Sequence, residues 1–188
     1  MKTEYDVIVV GGGAAGFFTA LNIKESNPNT EVLILERTKE VLSKVKVSGG
    51  GRCNVTHAEF IPSELVTNYP RGAKELLGPF HKFMTGDTMS WFEKHGIELK
   101  IEDDGRIFPV SDSSQTIIDC FLKLAKRLIK PAHYTVSLHL FYQSTEQLHT
   151  HHLKHQTFDS HLMMFHHYKA TALIFFGLEF QVNHDQVY

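Results

Sequence analysis

The sequence predicts an α/β fold with a parallel sheet over residues 1–130, followed by an atypical tail over residues 131–188. Near the N-terminus two short apolar strands enclose a helix, and a glycine-rich turn joins the first strand to that helix. Strands that alternate with helices in this way are typical of a parallel sheet with crossover helices. After Pro131 glycine almost disappears and histidine accumulates, so we divide the chain there.

The first elements follow from the distribution of apolar residues. Tyr5 to Val10 and Glu31 to Leu35 are largely apolar and contain β-branched residues, which predicts two buried parallel strands. Between them we expect a helix from Ala14 to about Ser26, which the Asn27-Pro28 pair ends. Thr38 to His57 is expected to be loop-like because it contains three consecutive glycines.

The next elements are expected to be two short helices and a hairpin. The helices are predicted at Ala73 to Phe83 and at Thr88 to His95, and Gly96 is expected to end the second. Ile97 to Ile101 and Arg106 to Val110 flank an Asp-Asp-Gly turn, which predicts a β-hairpin.

A last helix is predicted from its cap at Asp112 or Ser113 to about Lys130. Its apolar residues recur at helical spacing and predict one buried face; they are Ile117, Phe121, Leu124 and Leu128. Cys120 lies beside this face, so we expect it to pack in the core rather than to take part in chemistry.

A glycine fingerprint lies between the first strand and the helix. Gly11 permits a tight turn, Gly13 lets the backbone approach a pyrophosphate, and Gly16 lets the helix pack closely on the strand. The helix N-terminus adds unpaired N–H groups and a partial positive charge. Glu36 ends the second strand, where its carboxylate can accept hydrogen bonds from ribose hydroxyls. The pattern predicts a Rossmann-type dinucleotide site and fits FAD and NAD equally well.

A second glycine cluster occupies Ser48 to Asn54, with the sequence Ser-Gly-Gly-Gly-Arg-Cys-Asn. Its three glycines expose backbone N–H groups and permit positive φ angles. Arg52 adds a cation, and Asn54 can both donate and accept hydrogen bonds. A loop of this composition can lie against a phosphate or a flavin ring.

Three motifs, in this order and spacing, resemble the bacterial HI0933-like (YhiN-type) flavoproteins, which are NAD(P)/FAD-dependent or aminoacetone-oxidase-like oxidoreductases. They are Val9 to Gly16, Lys44 with Ser48 to Asn54, and Gly105 to Ser111. The resemblance covers about residues 4–130. It implies a Rossmann-type domain that binds FAD without a covalent bond, with the glycine fingerprint and Glu36 on the ADP half and the second cluster close to the cofactor.

FAD is therefore the expected cofactor, and NAD(P)H is the candidate electron donor. The candidate cofactor-binding residues are Gly11, Gly13, Ala14, Ala15, Gly16, Glu36, Arg37, Lys44, Ser48, Gly49, Gly50, Gly51, Arg52, Cys53 and Asn54. Since the flavin itself takes up and passes on hydride, no catalytic acid or base is assigned. A redox role for Cys53, with its pKa lowered by the adjacent Arg52, is the less favoured alternative.

The resemblance also implies what the chain lacks. Family members carry an inserted substrate-side domain and a C-terminal segment that returns to the FAD domain. We expect this chain to have neither, which would leave sheet edges uncovered and make it a truncated enzyme or a non-catalytic FAD-binding fragment.

Residues 131–188 contain ten of the 13 histidines, one glycine and no arginine. We interpret them as out-of-frame sequence, with a lineage-specific tail as the alternative. A histidine-rich metal-binding or interaction module is a further alternative, because His151 and His155 would share a face of a helix.

The bulk composition narrows the class of protein. The chain is 42% hydrophobic and 21% charged with a net charge of −2, which is typical of a soluble protein and argues against nucleic acid or membrane partners. The apolar run from Ala170 to Leu178 is too short to span a bilayer. Cys53 and Cys120 form no C-x-x-C pair and are expected to be reduced thiols in the cytoplasm. A small-molecule substrate is expected, and the oligomeric state is left open.

Overall fold

The computed structural model describes residues 4–36, 38–129 and 169–175, the last segment as backbone only. The chain divides into two compact units. The first comprises Met1–Leu42 and Lys123–Tyr188, and the second comprises Ser43–Leu122. The predicted α/β fold is confirmed, since the first unit contains a parallel strand–helix–strand arrangement of the Rossmann type.

The first unit contains a three-stranded parallel sheet with the strand order β2-β1-β6. Strand β1 spans Glu4–Val10, and strand β2 spans Val32–Leu35. Their pairing runs from Val7 opposite Val32 to Val10 opposite Leu35. All four residues of β2 are buried, which explains why the strand is continuously apolar rather than alternating.

Strand β6 spans Lys169–Phe175 and was not predicted. It pairs in parallel with β1, from Glu4 opposite Lys169 to Val10 opposite Phe175. The sequence signal was the apolar run near the C-terminus, which we had considered only as a membrane span. Strand β1 therefore has a parallel neighbour on each side, and β2 and β6 are the edge strands of this sheet in the described residues. The expectation of uncovered sheet edges stays a prediction.

Helix α1 spans Ala14–Ser26, as predicted. Its buried face contains Gly16, Phe17, Ala20 and Leu21, which recur at helical spacing. The helix ends at Asn27, whose backbone N–H donates to Ile23 O at 2.8 Å.

The second unit contains an antiparallel sheet with the strand order β3-β5-β4. Strand β4 (Leu99–Ile101) and strand β5 (Arg106–Pro109) form the predicted hairpin, and Gly105 in its turn has a φ of 80°. Strand β3 (Thr56–His57) was missed.

The expectation of a loop from Thr38 to His57 was wrong in part. The segment contains helix α2 (Ser43–Val47) and a 3₁₀ turn (Ser48–Gly51) as well as β3. These elements are short, and strand β3 forms by pairing with β5, which is distant in sequence. Propensity within the segment does not reveal them.

Three predicted helices lie close to their predicted positions, whereas the short helix at Pro62–Leu65 was not predicted. Helix α3 spans Pro62–Leu65, α4 spans Ala73–Phe80, α5 spans Thr85–Lys94 and α6 spans Ser114–Leu128, with a 3₁₀ turn at Val66–Asn68. Helix α5 begins earlier than predicted because Asp87 Oδ2 accepts a hydrogen bond from Met84 N at 2.9 Å. Ser113 caps α6 as predicted, since its Oγ accepts from Gln115 N at 3.3 Å.

An aromatic cluster lies in the core of the second unit. The ring centroid of Trp91 lies 5.0 Å from that of Phe92 and 5.7 Å from that of Phe121. Ile117 and Phe121 are buried on the predicted face of α6, as is Leu124, whereas Leu128 is half-buried. Cys120 is buried, which confirms its expected place in the core. No helix among the described residues is long and apolar enough to cross a membrane.

Candidate functional site: two glycine loops

The first glycine loop joins β1 to α1, and its glycines are needed for the geometry predicted. Gly11 has a φ of 108°, and its N–H donates to Leu35 O at 2.8 Å, which fixes the turn beside the end of β2. A Cβ on Gly16 would lie 1.9 Å from Gly11 O. No side chain fits there, so the helix can approach the strand only with glycine at position 16.

The N-terminus of α1 is open to solvent. Gly13 is the N-cap, and Gly13, Ala14 and Ala15 are all exposed. A Cβ on Gly13 would meet no atom within 4 Å, and the first turn of the helix carries no acidic residue. The first N–H groups of a helix have no partner within the helix, so this end offers hydrogen-bond donors and positive potential to an anion.

Glu36 lies beside this loop, as the sequence predicted. Its Oε2 accepts a hydrogen bond from Gly12 N at 2.7 Å, and its Oε1 accepts from the N–H and hydroxyl of Thr38 at 2.8 and 2.9 Å. These bonds hold the carboxylate at the end of β2, next to the glycine turn. A contact with ribose hydroxyls stays a prediction. Arg37, the next candidate, lies outside the described residues.

Sequence reasoning missed Gly12 as a residue of this site. Gly12 is buried, and a Cβ there would lie 3.0 Å from both Glu36 Cβ and Val41 Cγ1. Its carbonyl accepts a hydrogen bond from Leu42 N at 2.9 Å. Gly12 thus ties the turn both to the acidic residue and to the chain that follows it, and the run of three glycines was the signal that could have revealed it.

The second glycine loop (Ser48–Asn54) follows helix α2 and has the predicted left-handed backbone. Gly49, Gly50 and Gly51 have φ angles of 55°, 67° and 86°. Cys53 N donates to Ser48 O at 3.0 Å and closes the loop. Consecutive residues in such turn conformations form concavities lined by N–H groups, which suit an anion.

Arg52 in this loop binds carboxylates of the same unit. Its Nη1 and Nη2 donate to Oε1 and Oε2 of Glu102 at 2.5 and 3.3 Å, and Nη1 also lies 3.3 Å from Asp112 Oδ1. The hydrogen bond to Glu102 is the main cause that raises the pKa of Arg52 above its ordinary value. Desolvation opposes this rise, and the hydrogen bond to Asp112 adds a smaller contribution to it. The predicted cation is therefore present, but carboxylates hold it within the protein.

Asn54 also has a partner within the unit. With its amide oriented so that Nδ2 donates, Asn54 bonds Thr56 O at 2.8 Å and Ile107 O at 3.2 Å. Ser48 Oγ donates to Val45 O at 2.9 Å, and Lys44 is exposed on α2. Ser48 and Asn54 thus hold the two ends of the loop in place. Contacts of these residues with a cofactor stay predictions.

The less favoured alternative, in which the adjacent Arg52 lowers the pKa of Cys53, is contradicted by the structure. Cys53 is buried at a φ of 63°, and burial raises the pKa of its thiol, with a smaller opposing effect of a hydrogen bond with Ser48. The guanidinium of Arg52 is directed to Glu102 and Asp112 instead. The structure therefore gives Cys53 the character of a packed, protonated thiol.

The two sets of candidates form separate clusters in the two units. Gly11 to Gly16 and Glu36 lie together in the first, and Ser48 to Asn54 lie together in the second. Within the described ranges, no group of three or more His, Cys, Asp and Glu side chains could hold a metal ion. The histidine cluster around His151 and His155 falls outside those ranges.

Comparison with known proteins supports the class of fold that these loops define. The family model of the HI0933-like protein Rossmann domain matches residues 5–166, and the chain belongs to this family. The recognition made from the three motifs is confirmed. The match also runs beyond Lys130, where we had expected the resemblance to end; the origin of residues 131–188 stays a prediction.

Curated relatives match part of the chain. The ribosomal RNA dihydrouridine synthase of Escherichia coli (strain K12) is 32% identical over 62% of this chain and 28% of its own length. The 3-dehydro-bile acid delta(4,6)-reductase of Clostridium scindens is 30% identical over 65% of this chain and 29% of its own length. The chain thus spans less than a third of each of these relatives.

A solved structure of quinol fumarate reductase FrdA from E. coli has a TM-score of 0.47 at 14% identity. It covers 68% of this chain and 25% of that one.

Proposed function

We propose that this chain is the FAD-binding part of a flavin-dependent oxidoreductase, and that the first unit binds the ADP half of the cofactor. The observation that carries the proposal is the open N-terminus of α1, where no side chain stands over Gly13. The N–H groups there would bind the pyrophosphate, and Glu36 at the end of β2 would accept from the ribose hydroxyls.

The second glycine loop would supply further contacts to the same cofactor. Its support is the left-handed run of Gly49 to Gly51, which presents N–H groups rather than side chains, and the exposure of Gly49 and Gly50. Gly50 has no neighbour within 4 Å of a Cβ position, so a planar ring or a phosphate could approach its backbone closely.

When bound, FAD supplies the hydride chemistry, and the protein supplies position and electrostatics. We propose NAD(P)H as the electron donor. The two relatives act on different substrates by their names, an RNA and a bile acid, although they match similar shares of this chain, 62% and 65%. The part that the relatives share with this chain is therefore expected to bind the cofactor. We propose that other parts of the protein bind a small-molecule substrate. We propose a cytoplasmic location, in which cysteine thiols stay reduced.

The first experiment is an absorption spectrum of the purified chain after incubation with FAD and desalting. The proposal expects retained flavin bands near the wavelengths of free FAD, with shifts caused by the protein environment. A colourless protein after desalting, with no binding in a fluorescence titration, would contradict the cofactor assignment.

Anaerobic mixing of the loaded chain with NADH or NADPH tests the oxidoreductase half of the proposal. Bleaching of the bound flavin faster than that of free FAD supports hydride transfer on this protein. Binding without accelerated bleaching would instead favour the alternative that the chain is a non-catalytic FAD-binding fragment.

A further inference from the structure

Phe108 contacts the second glycine loop at two points. It lies on β5 and has no exposed surface. Its ring carries the guanidinium of Arg52 on one face, with Cζ 3.9 Å from the ring centroid. Its Cε1 would lie 2.9 Å from a Cβ on Gly49, so the ring also packs against the start of the glycine run. One buried ring therefore restrains both Gly49 and Arg52.

The carboxylates that bind Arg52 are themselves fixed by the β4–β5 hairpin. Glu102 follows β4, and its N–H donates to Arg106 O at 2.9 Å. Asp112 follows β5, its N–H donates to Pro109 O at 2.9 Å, and Lys100 Nζ lies 2.5 Å from its Oδ2. The two acceptors of Arg52 thus have backbone positions set by the sheet rather than by the glycine loop.

We infer that Arg52 is a positioning residue, which clamps the Ser48–Asn54 loop to the β4–β5 hairpin through Glu102 and Phe108 and does not itself bind the cofactor. Three adjacent glycines have a large conformational entropy to lose on ordering, so a loop that presents N–H groups in one arrangement needs an external restraint. A bidentate guanidinium stacked on a ring fixes both position and orientation. The inference rests on the proposed function only for the statement that the loop faces the cofactor.

Arg106 provides a matched control within the same cluster. Its Cζ lies 5.3 Å from the Phe108 ring centroid, and its Nη2 lies 3.9 Å from Glu102 Oε2. Replacing Arg106 removes a cation from the Phe108 ring and from the Glu102 carboxylate, which Arg52 also contacts. Because Arg106 belongs to the hairpin, its loss leaves the glycine loop attached.

The clamp is tested first without cofactor, by hydrogen exchange of the backbone amides of Arg52 and Cys53, which donate to Gly49 O at 3.4 Å and to Ser48 O at 3.0 Å. Arg52→Met should raise their exchange rates by about tenfold or more, as expected for the loss of a charge-assisted bidentate bond. Arg52→Lys should give an intermediate rise, since the charge is kept but the fork and the stacking are lost. Arg106→Met should leave these amides near the wild-type rates. Equal exchange in Arg52→Met and wild type would overturn the clamp.

FAD titrations of the same full-length variants then separate positioning from direct binding. A clamp predicts that Arg52→Met and Glu102→Gln both weaken FAD binding several-fold, because both loosen the same loop. A direct contact between Arg52 and the cofactor predicts the opposite for Glu102→Gln, since it would release the guanidinium and leave affinity unchanged or higher. That second pattern would overturn the inference.

The two proposals fail in different ways. If the wild-type chain binds no FAD but Arg52→Met still frees the loop amides, the clamp stands and the cofactor assignment falls. If the wild type binds FAD and neither Arg52→Met nor Glu102→Gln changes affinity or exchange, the cofactor assignment stands and the clamp falls.

Discussion

Gly16 in the first glycine loop and Gly50 in the second are required for different physical reasons. In the first loop the missing Cβ matters, because a Cβ on Gly16 would lie 1.9 Å from a backbone oxygen. In the second loop backbone conformation matters, because Gly49, Gly50 and Gly51 all have positive φ angles while Gly50 has open space around it. Packing against its own unit therefore fixes the first loop, and the second depends on contacts such as those of Arg52.

The largest effect is expected for Gly16→Ala. The methyl group would collide with Gly11 O, and since that atom belongs to the backbone, the helix must move away from the strand. We expect destabilisation of about 3 kcal/mol or more, as for severe overpacking. Thermal unfolding followed by circular dichroism measures it. A melting temperature equal to that of the wild type would contradict the conclusion that helix α1 can approach strand β1 only with glycine at position 16.

The next largest expected effect is the difference in the free energy of unfolding between the Gly49→Ala and Gly50→Ala variants. Both place a side chain at positive φ, which costs about 1–2 kcal/mol. Gly49→Ala also brings a Cβ within 2.7 Å of Asn54 N and 2.9 Å of Phe108 Cε1, so it should cost clearly more than Gly50→Ala. Chemical denaturation of the two variants compares them directly, and equal losses would show that conformation alone governs this loop.

A smaller effect concerns Cys53, studied in a Cys120→Ala background. Burial raises the pKa of Cys53 in the folded state, so its contribution to stability is present below the unfolded pKa of about 8.5 and is lost as the pH rises through the folded value. We expect slow alkylation at neutral pH until denaturant is added. Rapid alkylation of the folded protein would point to an activated thiolate.

The smallest effect is expected at acid pH. The hydrogen bond with Lys100, followed by that with Arg52, lowers the pKa of Asp112, so the stability it contributes is present above about pH 3.9 and is lost as the pH falls through the folded value. Lys100→Met should move the acid unfolding midpoint slightly upward, since exposed ion pairs contribute little. An unchanged acid unfolding midpoint would contradict a contribution of the Asp112–Lys100 ion pair to stability.

Local signals made much of the fold predictable from sequence. Helix α1, the β1 and β2 strands and the glycine fingerprint depend on residues within one strand–helix–strand stretch, so their periodicity and turn chemistry are visible there. The β4–β5 hairpin was predictable for the same reason, from its Asp-Asp-Gly turn.

The features that were missed depend on partners far along the chain. Strand β6 pairs with β1, which lies near the opposite end of the sequence. No pattern within Lys169–Phe175 identifies β1 as its partner. For Arg52 the sequence suggested a cofactor and, as a less favoured alternative, the adjacent Cys53 as partners, yet its guanidinium binds Glu102, which is 50 residues away. Sequence adjacency gave the wrong partner because side-chain direction is set by the tertiary fold.

The most direct test of the proposed cofactor site is the FAD affinity of Gly13→Ser. Gly13 is the N-cap of α1 with extended φ and ψ angles, and a Cβ there meets nothing, so serine fits the fold and can cap the helix. We predict an unchanged or higher melting temperature together with a loss of FAD affinity of about tenfold or more, because the new side chain stands where the pyrophosphate must approach. Wild-type affinity in a stably folded Gly13→Ser protein would contradict the site.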